Sequence, residues 1–351
     1  MSEPTHQRKT MKQFAAVALL AAISASASAQ SQVTLFGIVD VGARYVKNGD
    51  NHVKSLSSNG LNTSRLGFRG VEDLGDGLKA SFWLETGLNP DTGTTSDSGR
   101  LWNRRSTVSL SGKFGEVRLG RDFTPTYTAI SDYDTFGDNG VAAFGKFAPK
   151  FGTAVDTNTR ADNEASYFLP TGIGGVYGQV SLAAGEGTTG KKYAGGRVGY
   201  AAGPLDVSAS YGQTTVAPNA AGEDKFKVAS VGGSYDFGVA KALGSVAQFK
   251  YGDFKLVLAQ IGALVPVGQG WVRVGYTNAN ASGLGIDAND ASQFAVGYIY
   301  DLSKRTALYS TVARVNNKGA AAFVVDVNPA LPVPNPGKDS TGVEVGIRHR
   351  F

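Results

Sequence analysis

Cysteine is absent from all 351 residues, which removes disulfides, thiolate metal sites, iron–sulfur clusters and cysteine nucleophiles together. Histidine is nearly as scarce, at three residues, and charged residues make up only 18% of the chain. No stretch beyond the N-terminal region reaches the roughly 18 consecutive apolar residues that a membrane-crossing helix needs. Stability therefore has to come from packing or from a surrounding medium, and redox chemistry is not expected. Glycine, by contrast, is abundant. There are 47 glycines, about twice the usual background share, without the third-residue period of collagen.

Arg8, Lys9 and Lys12 precede an apolar run from Phe14 to Ile23, followed by small residues ending Ala27-Ser28-Ala29. A positive start, a short apolar centre and an A-x-A site make residues 1–29 an export signal peptide, because about ten apolar residues are too few to span a bilayer. Met11 offers a second start of translation. Removal of residues 1–29 leaves a domain of 322 residues, 30–351, with 31 basic against 28 acidic side chains and only His52 and His349 of the histidines.

The mature chain alternates. Leu35, Gly37, Val39, Val41, Ala43 and Tyr45 are apolar or small, while Thr34, Asp40 and Arg44 stand between them. Leu78, Ala80, Phe82 and Leu84 oppose Lys79, Ser81, Trp83 and Glu85. Near the end, Val343, Val345, Ile347, His349 and Phe351 oppose Glu344, Arg348 and Arg350. Period two of this kind is the signature of strands with two different faces. Seven short connections, such as 73–77, 112–115 and 301–304, alternate with long ones rich in Gly, Asn, Asp, Ser or Pro, such as 46–60, 122–159 and 316–338. Seven short turns and eight long loops join sixteen strands. At about ten residues per strand these use half of the mature chain, which suits an all-β, 16-stranded antiparallel transmembrane barrel with short periplasmic turns and long extracellular loops.

Hydrocarbon supplies no hydrogen bonds, so a β structure within it must close on itself and leave no edge. Each strand then meets lipid on one side and water on the other. That demands alternation and forbids a conventional core, in keeping with 42% hydrophobic residues. Glycines relieve crowding where strands curve and side chains project into a lumen, and 18 Phe and 14 Tyr can furnish interfacial girdles.

Several widely spaced segments carry a family resemblance: VTLFGIVDVG at 33–42, SRLGFRGVEDLGDGLKASFWLE at 64–85, GEVRLGRDFTPTY at 115–127, SYDFGVAK at 234–241, YDLSKRTALY at 300–309 and VGIRHRF at 345–351. In these the chain resembles the general diffusion porins of Gram-negative outer membranes, most closely the β-proteobacterial type. The resemblance implies a homotrimer in the outer membrane, among lipid and lipopolysaccharide. Each barrel would hold a water-filled channel for passive diffusion of ions and small hydrophilic solutes, narrowed by a third loop folded into the lumen. It also makes Phe351, a terminal aromatic, the signal read by the barrel-assembly machinery.

The loop at 122–159 is long enough to fill that role on its own account, and it carries Asp132, Asp134 and Asp138 with Tyr133 and Phe136. In the family the loop presents acids across the channel from wall arginines, which by residue-to-residue matching fall on Arg65, Arg104 and Arg160, with Arg69 beside Arg65. Parity supports a lumenal position for Arg65 and Arg69, which oppose Leu66 and Phe68, and for Arg160, which opposes Ala161, Ala165 and Tyr167. Either Arg104 or Arg105 can be the lumenal one. Lys79, Glu85 and Arg118 are further lumenal charges by parity, as are Asp40, Glu116, Asp162 and Glu164. Departures from the family are Ile38, where enteric porins tend to be basic, and the missing Pro-Glu-Phe-Gly-Gly turn. Fixed charges of opposite sign across a narrow channel order water and favour polar solutes, and the balance here leans weakly towards anions.

An outer-membrane hydrolase would need a base beside a nucleophile, but His52 lies in the first loop and His349 on the lipid side, so no catalytic residues are assigned. The segment Gly185-Glu-Gly-Thr-Thr-Gly-Lys-Lys192 is no phosphate loop. Lys192 stands where Ser or Thr must hold Mg²⁺, and strands flank it on both sides. A sugar-specific channel would show an aromatic track, whereas Trp83 alone has lumenal parity. No cofactor, metal or nucleic-acid partner is expected.

Overall fold

The computed structural model describes residues 32–326 and 334–351. The expected signal peptide at 1–29, with Met11, lies outside the described residues. The first nine strands are β1 (Gln32–Asn48), β2 (Asn51–Ser58), β3 (Arg65–Gly75), β4 (Leu78–Asn89), β5 (Thr94–Thr95), β6 (Arg105–Gly112), β7 (Gly115–Phe123), β8 (Arg160–Phe168) and β9 (Val176–Ala183). Then follow β10 (Tyr193–Ala202), β11 (Leu205–Thr215), β12 (Lys225–Asp236), β13 (Lys241–Tyr251) and β14 (Phe254–Val267). The last are β15 (Gly270–Ser282), β16 (Ala291–Asp301), β17 (Thr306–Asn317) and β18 (Ser340–Arg350). One helix, α1 (Pro125–Ser131), stands between β7 and β8.

Two of these strands are loop arms. β2 extends the β1 hairpin above β3, and β5 pairs only with the end of β4 at Leu88 and Asn89. The other sixteen form a closed antiparallel barrel in chain order. Closure falls on β1: Gln32–Ile38 pairs with β3 on one edge, and Ile38–Asn48 pairs with β18 on the other. The last residue completes the seam, since Phe351 N donates to Gly37 O and Gly37 N to Phe351 O, each at 3.1 Å. No edge is left to solvate, as a bilayer requires.

All seven short turns stand where the sequence puts them. Of the eight connections at the opposite end, one departs from expectation. β13 and β14 stay paired to Tyr251↔Phe254 and leave only Gly252 and Asp253 to turn. Gly252 has a φ of 58°, the left-handed conformation that tight hairpins need and that glycine adopts without steric cost.

The strand faces separate as the alternation demands. Val108, Val180, Leu182, Val231, Ile261, Val345 and Ile347 lie exposed on the outer wall, an apolar band that water would not tolerate but lipid accommodates. The inner positions of the same strands carry Thr107, Ser109, Gln179, Ser181, Ser230, Gln260 and Glu344. A hydrophobic cluster exists, but inside the barrel. It consists of Val141, Phe144 and Phe147 from the long loop packed on Val46, Phe226, Leu258 and Val315 from the wall, with Val324 and Val325 from the last loop.

Candidate functional site: the lumenal constriction

The loop after β7 turns inward because its first residues start a helix instead of continuing the wall. Thr124, fully buried, caps α1 by accepting from Tyr127 N, and Pro125 occupies the first turn, where its missing N–H costs nothing. Tyr133 then reaches the far wall, its hydroxyl 3.0 Å from Asp206 and 3.1 Å from Ser208. The tip is folded by its own acids. Asp134 accepts from Asp138 N at 2.7 Å, and Asp138 accepts from Gly145 N at 2.7 Å and from the Tyr127 hydroxyl at 3.0 Å.

Beyond the tip, the loop is fastened to the wall. Val141 N donates to Glu344 at 3.4 Å, Lys146 Nζ to Gln293 at 2.6 Å, and Gln293 Nε2 to Ala142 O at 2.8 Å. Phe147 meets Phe323 of the last loop at 4.9 Å between centroids. Close contact requires small wall residues: a β-carbon on Gly262 would collide with the Thr135 hydroxyl, and one on Gly232 with the Tyr133 ring.

A cavity of about 1210 Å³ runs from this loop to the short-turn end of the barrel. Arg65, Arg104 and Arg160 of the wall line it, as do Asp132, Asp134 and Asp138 of the long loop. Two of the three arginines share one carboxylate. Arg104 Nε lies 2.5 Å and Arg65 Nη1 3.4 Å from Glu85, which also accepts from Trp83 Nε1 at 3.1 Å. Arg160 donates to Arg104 O at 2.7 Å and lies over the Phe123 ring at 3.9 Å. Among the described residues, none of the three is ion-paired with a loop acid; Asp132 is bound instead by Arg197 at 2.6 Å. Burial inside the barrel pushes the Asp134 carboxyl up to about 6 and raises Asp138 as well, because enclosure disfavours the charged form.

Arg104 and Arg105 both point inward. Arg104 precedes β6 and fronts the cavity, while Arg105 shares the inner face with Thr107 and lies over Trp83 at 4.6 Å. Arg69 stands over Phe36 and Trp83 at 5.4 and 5.3 Å. Arg118 binds Glu116 and Asp122, each at 2.8 Å. Lys79 is exposed on the inner face of β4, in line with Ser81, Trp83 and Glu85.

Parity fails at one place. The register shifts between Gly120 and Asp122, and Asn163 takes a φ of 54°, a bulge that reverses the faces beyond it. Ala161 consequently packs inward against Ala183 and Tyr193. Asp162 is not lumenal as its parity predicts: it lies outside, on Arg121, Arg100 and Lys191 at 2.7, 3.1 and 3.6 Å. Arg160 reaches the cavity from the strand end, not through the face assigned to it.

The sequence reading did not single out several residues of the lumen. Arg44 bridges Asp326 and Glu344 at 2.7 and 2.8 Å in a buried cluster, and Arg273, Arg348 and Arg350 line the cavity. Parity was the available signal for Arg44, Arg348 and Arg350, which oppose apolar neighbours on β1 and β18.

Residues 15–320 match the Gram-negative porin family. The chain belongs to that family. It is 41% identical to outer membrane porin protein 32 of Delftia acidovorans over 97% of this chain and 99% of that one. A porin of Bordetella pertussis is 33% identical over 97% of this chain and all of its own length. Among solved structures, an anion-selective porin from Comamonas acidovorans superposes with a TM-score of 0.83 at 40% identity, covering 92% of this chain and 100% of that one. The trimer form of OmpT from Vibrio cholerae, at 16% identity and a TM-score of 0.66, shares the fold. The porin resides in the Gram-negative outer membrane, with its apolar band in lipid and its lumen forming the channel. Proteins of this family and fold are channels, not enzymes.

Proposed function

We propose that this porin conducts ions and small hydrophilic solutes passively, with a preference for anions set where the acidic third loop faces Arg65, Arg104 and Arg160. The observation that carries the reading is the three-to-one imbalance at the wall. Only Arg65 and Arg104 are ion-paired there, both with Glu85; among the described residues Arg160 has no ion pair, and none of the three is paired with a loop acid. The related Comamonas porin is described as anion-selective, which supports the sign. A transverse field of this kind orients water and raises the local concentration of the counter-ion without tight binding.

A homotrimer is part of the proposal, as are export through residues 1–29, contact with lipopolysaccharide and recognition of Phe351 by the assembly machinery. The test is the reversal potential of single channels in a planar bilayer under a salt gradient. An anionic sign is expected. Replacing Arg65 or Arg160 with Ser should move the permeability ratio towards cations by about fivefold, the effect of roughly 1 kcal/mol from one nearby, water-screened charge. Unchanged potentials in both variants would place the selectivity elsewhere.

A further inference from the structure

Along the inner face of β10 one arginine stands between two glycines: Gly195, Arg197 and Gly199 alternate there. The register sets Arg197 against the buried Gln179 of β9 and the buried Ser210 of β11. A β-carbon on Gly199 would collide with the Tyr177 ring, so the glycine admits that ring, and Arg197 lies over it at 5.0 Å. Tyr177 is fixed in turn by donating to Asp206 at 2.7 Å. Held in this way, the guanidinium meets the third loop: its Nη1 donates to Asp132 Oδ2 at 2.6 Å.

Asp132 differs from the other two loop acids at the cavity. It is the C-cap of α1, the helix end at which backbone carbonyls disfavour a negative charge. Its side chain is 45% exposed, and it lines the cavity. Asp134 and Asp138 lie less open and give their carboxylates to backbone N–H groups of the tip. Among the described residues neither of them forms an ion pair, so Asp132 alone of the three is matched by a fixed cation.

A pair this open to water adds little to stability. Its larger effect is on the field in the channel. An unpaired carboxylate at the cavity wall attracts cations and repels anions over a screening length of about 8 Å in physiological salt, whereas a contact pair acts as a short dipole whose field fades much faster. We propose that Arg197 is a selectivity-determining residue of this channel. It cancels the most exposed of the three loop acids and so lets the positive wall at Arg65, Arg104 and Arg160 set the sign. The inference rests on the anion-conducting reading and assigns part of that preference to an arginine apart from those three.

The test is the reversal potential of single channels of the full porin under a potassium chloride gradient at pH 8. R197Q should shift the permeability ratio towards cations by about threefold, the effect of one partly screened charge. D132N should shift it towards anions by a similar factor, because Arg197 is then left uncompensated, and R197Q/D132N should return it to the wild-type value. R197K, which keeps the charge, should keep the wild-type ratio. A tether that only positions the loop would alter conductance in R197Q, and the double variant would not recover. An unchanged ratio in R197Q, or a double variant that retains the R197Q shift, would overturn the proposal. D132N alters a half-exposed loop side chain and decides the matter if R197Q does not fold, since the lack of an anionic shift there would overturn the proposal as well. A wild-type channel without anionic reversal potential, but with these opposed shifts intact, would overturn the constriction reading alone, so the two failures are separable.

Discussion

Asp134 combines two roles that pull on its proton. Its carboxylate folds the loop tip by accepting from Asp138 N, and it borders the channel with a carboxyl pushed up to about 6 by burial. A raised carboxyl stays charged above its pKa and becomes neutral as pH falls through it. Between about pH 7 and 5 the loop should therefore lose negative charge, and Asp138, shifted the same way by burial, adds to the effect. The expected outcome is a reversal potential that grows more anionic across this window, with Asp134→Asn more anionic at pH 7 and much less sensitive to pH. A flat profile in the wild type would remove Asp134 from the selectivity mechanism. Family matching pointed to Arg65, Arg104 and Arg160, and all three line the cavity. The outward position of Asp162 was not legible beforehand, because a one-residue bulge at Asn163 leaves no mark in an alternating pattern and yet inverts every face beyond it.

The third loop is held as an element, by wall glycines beneath it and by an ionic clamp beside it. Gly262→Val should collide with Thr135, at about 1–3 kcal/mol of overpacking, and displace the tip enough to change single-channel conductance. Ile261→Val, on the lipid side of the same strand and 66% exposed, should leave conductance unchanged. Arg44 holds Asp326 of the last loop and Glu344 of β18 together, all nearly excluded from solvent. Arg44→Met would remove the ion-pair partner of the buried Glu344, with an expected loss of about 3–5 kcal/mol, read as a lower midpoint in urea unfolding of the lipid-embedded barrel. An unaltered midpoint would mean that the clamp contributes no net stability. The sequence signalled that 122–159 is long and acidic. It could not signal Glu344 as its anchor, because that contact spans 203 residues of chain and no local period encodes it.

For the whole molecule, the strand count, the seven short turns and the face of nearly every strand followed from period two, since lipid and water impose opposite requirements on neighbouring residues. The short β13–β14 turn was missed because Gly252 and Asp253 sit in a stretch as polar as a loop. The outer wall also bears the cations Arg100, Arg121 and Lys191 around Asp162, which the alternation did not foretell. The seam between β1 and β18 has one further consequence, and it concerns time. The residues joined there, Gly37 of β1 and Phe351 after β18, are separated by almost the whole barrel sequence. The ribosome makes the β1 edge long before the β18 edge that covers it, so no product lacking β18 can seal itself, and until β18 is in place open strand edges need protection.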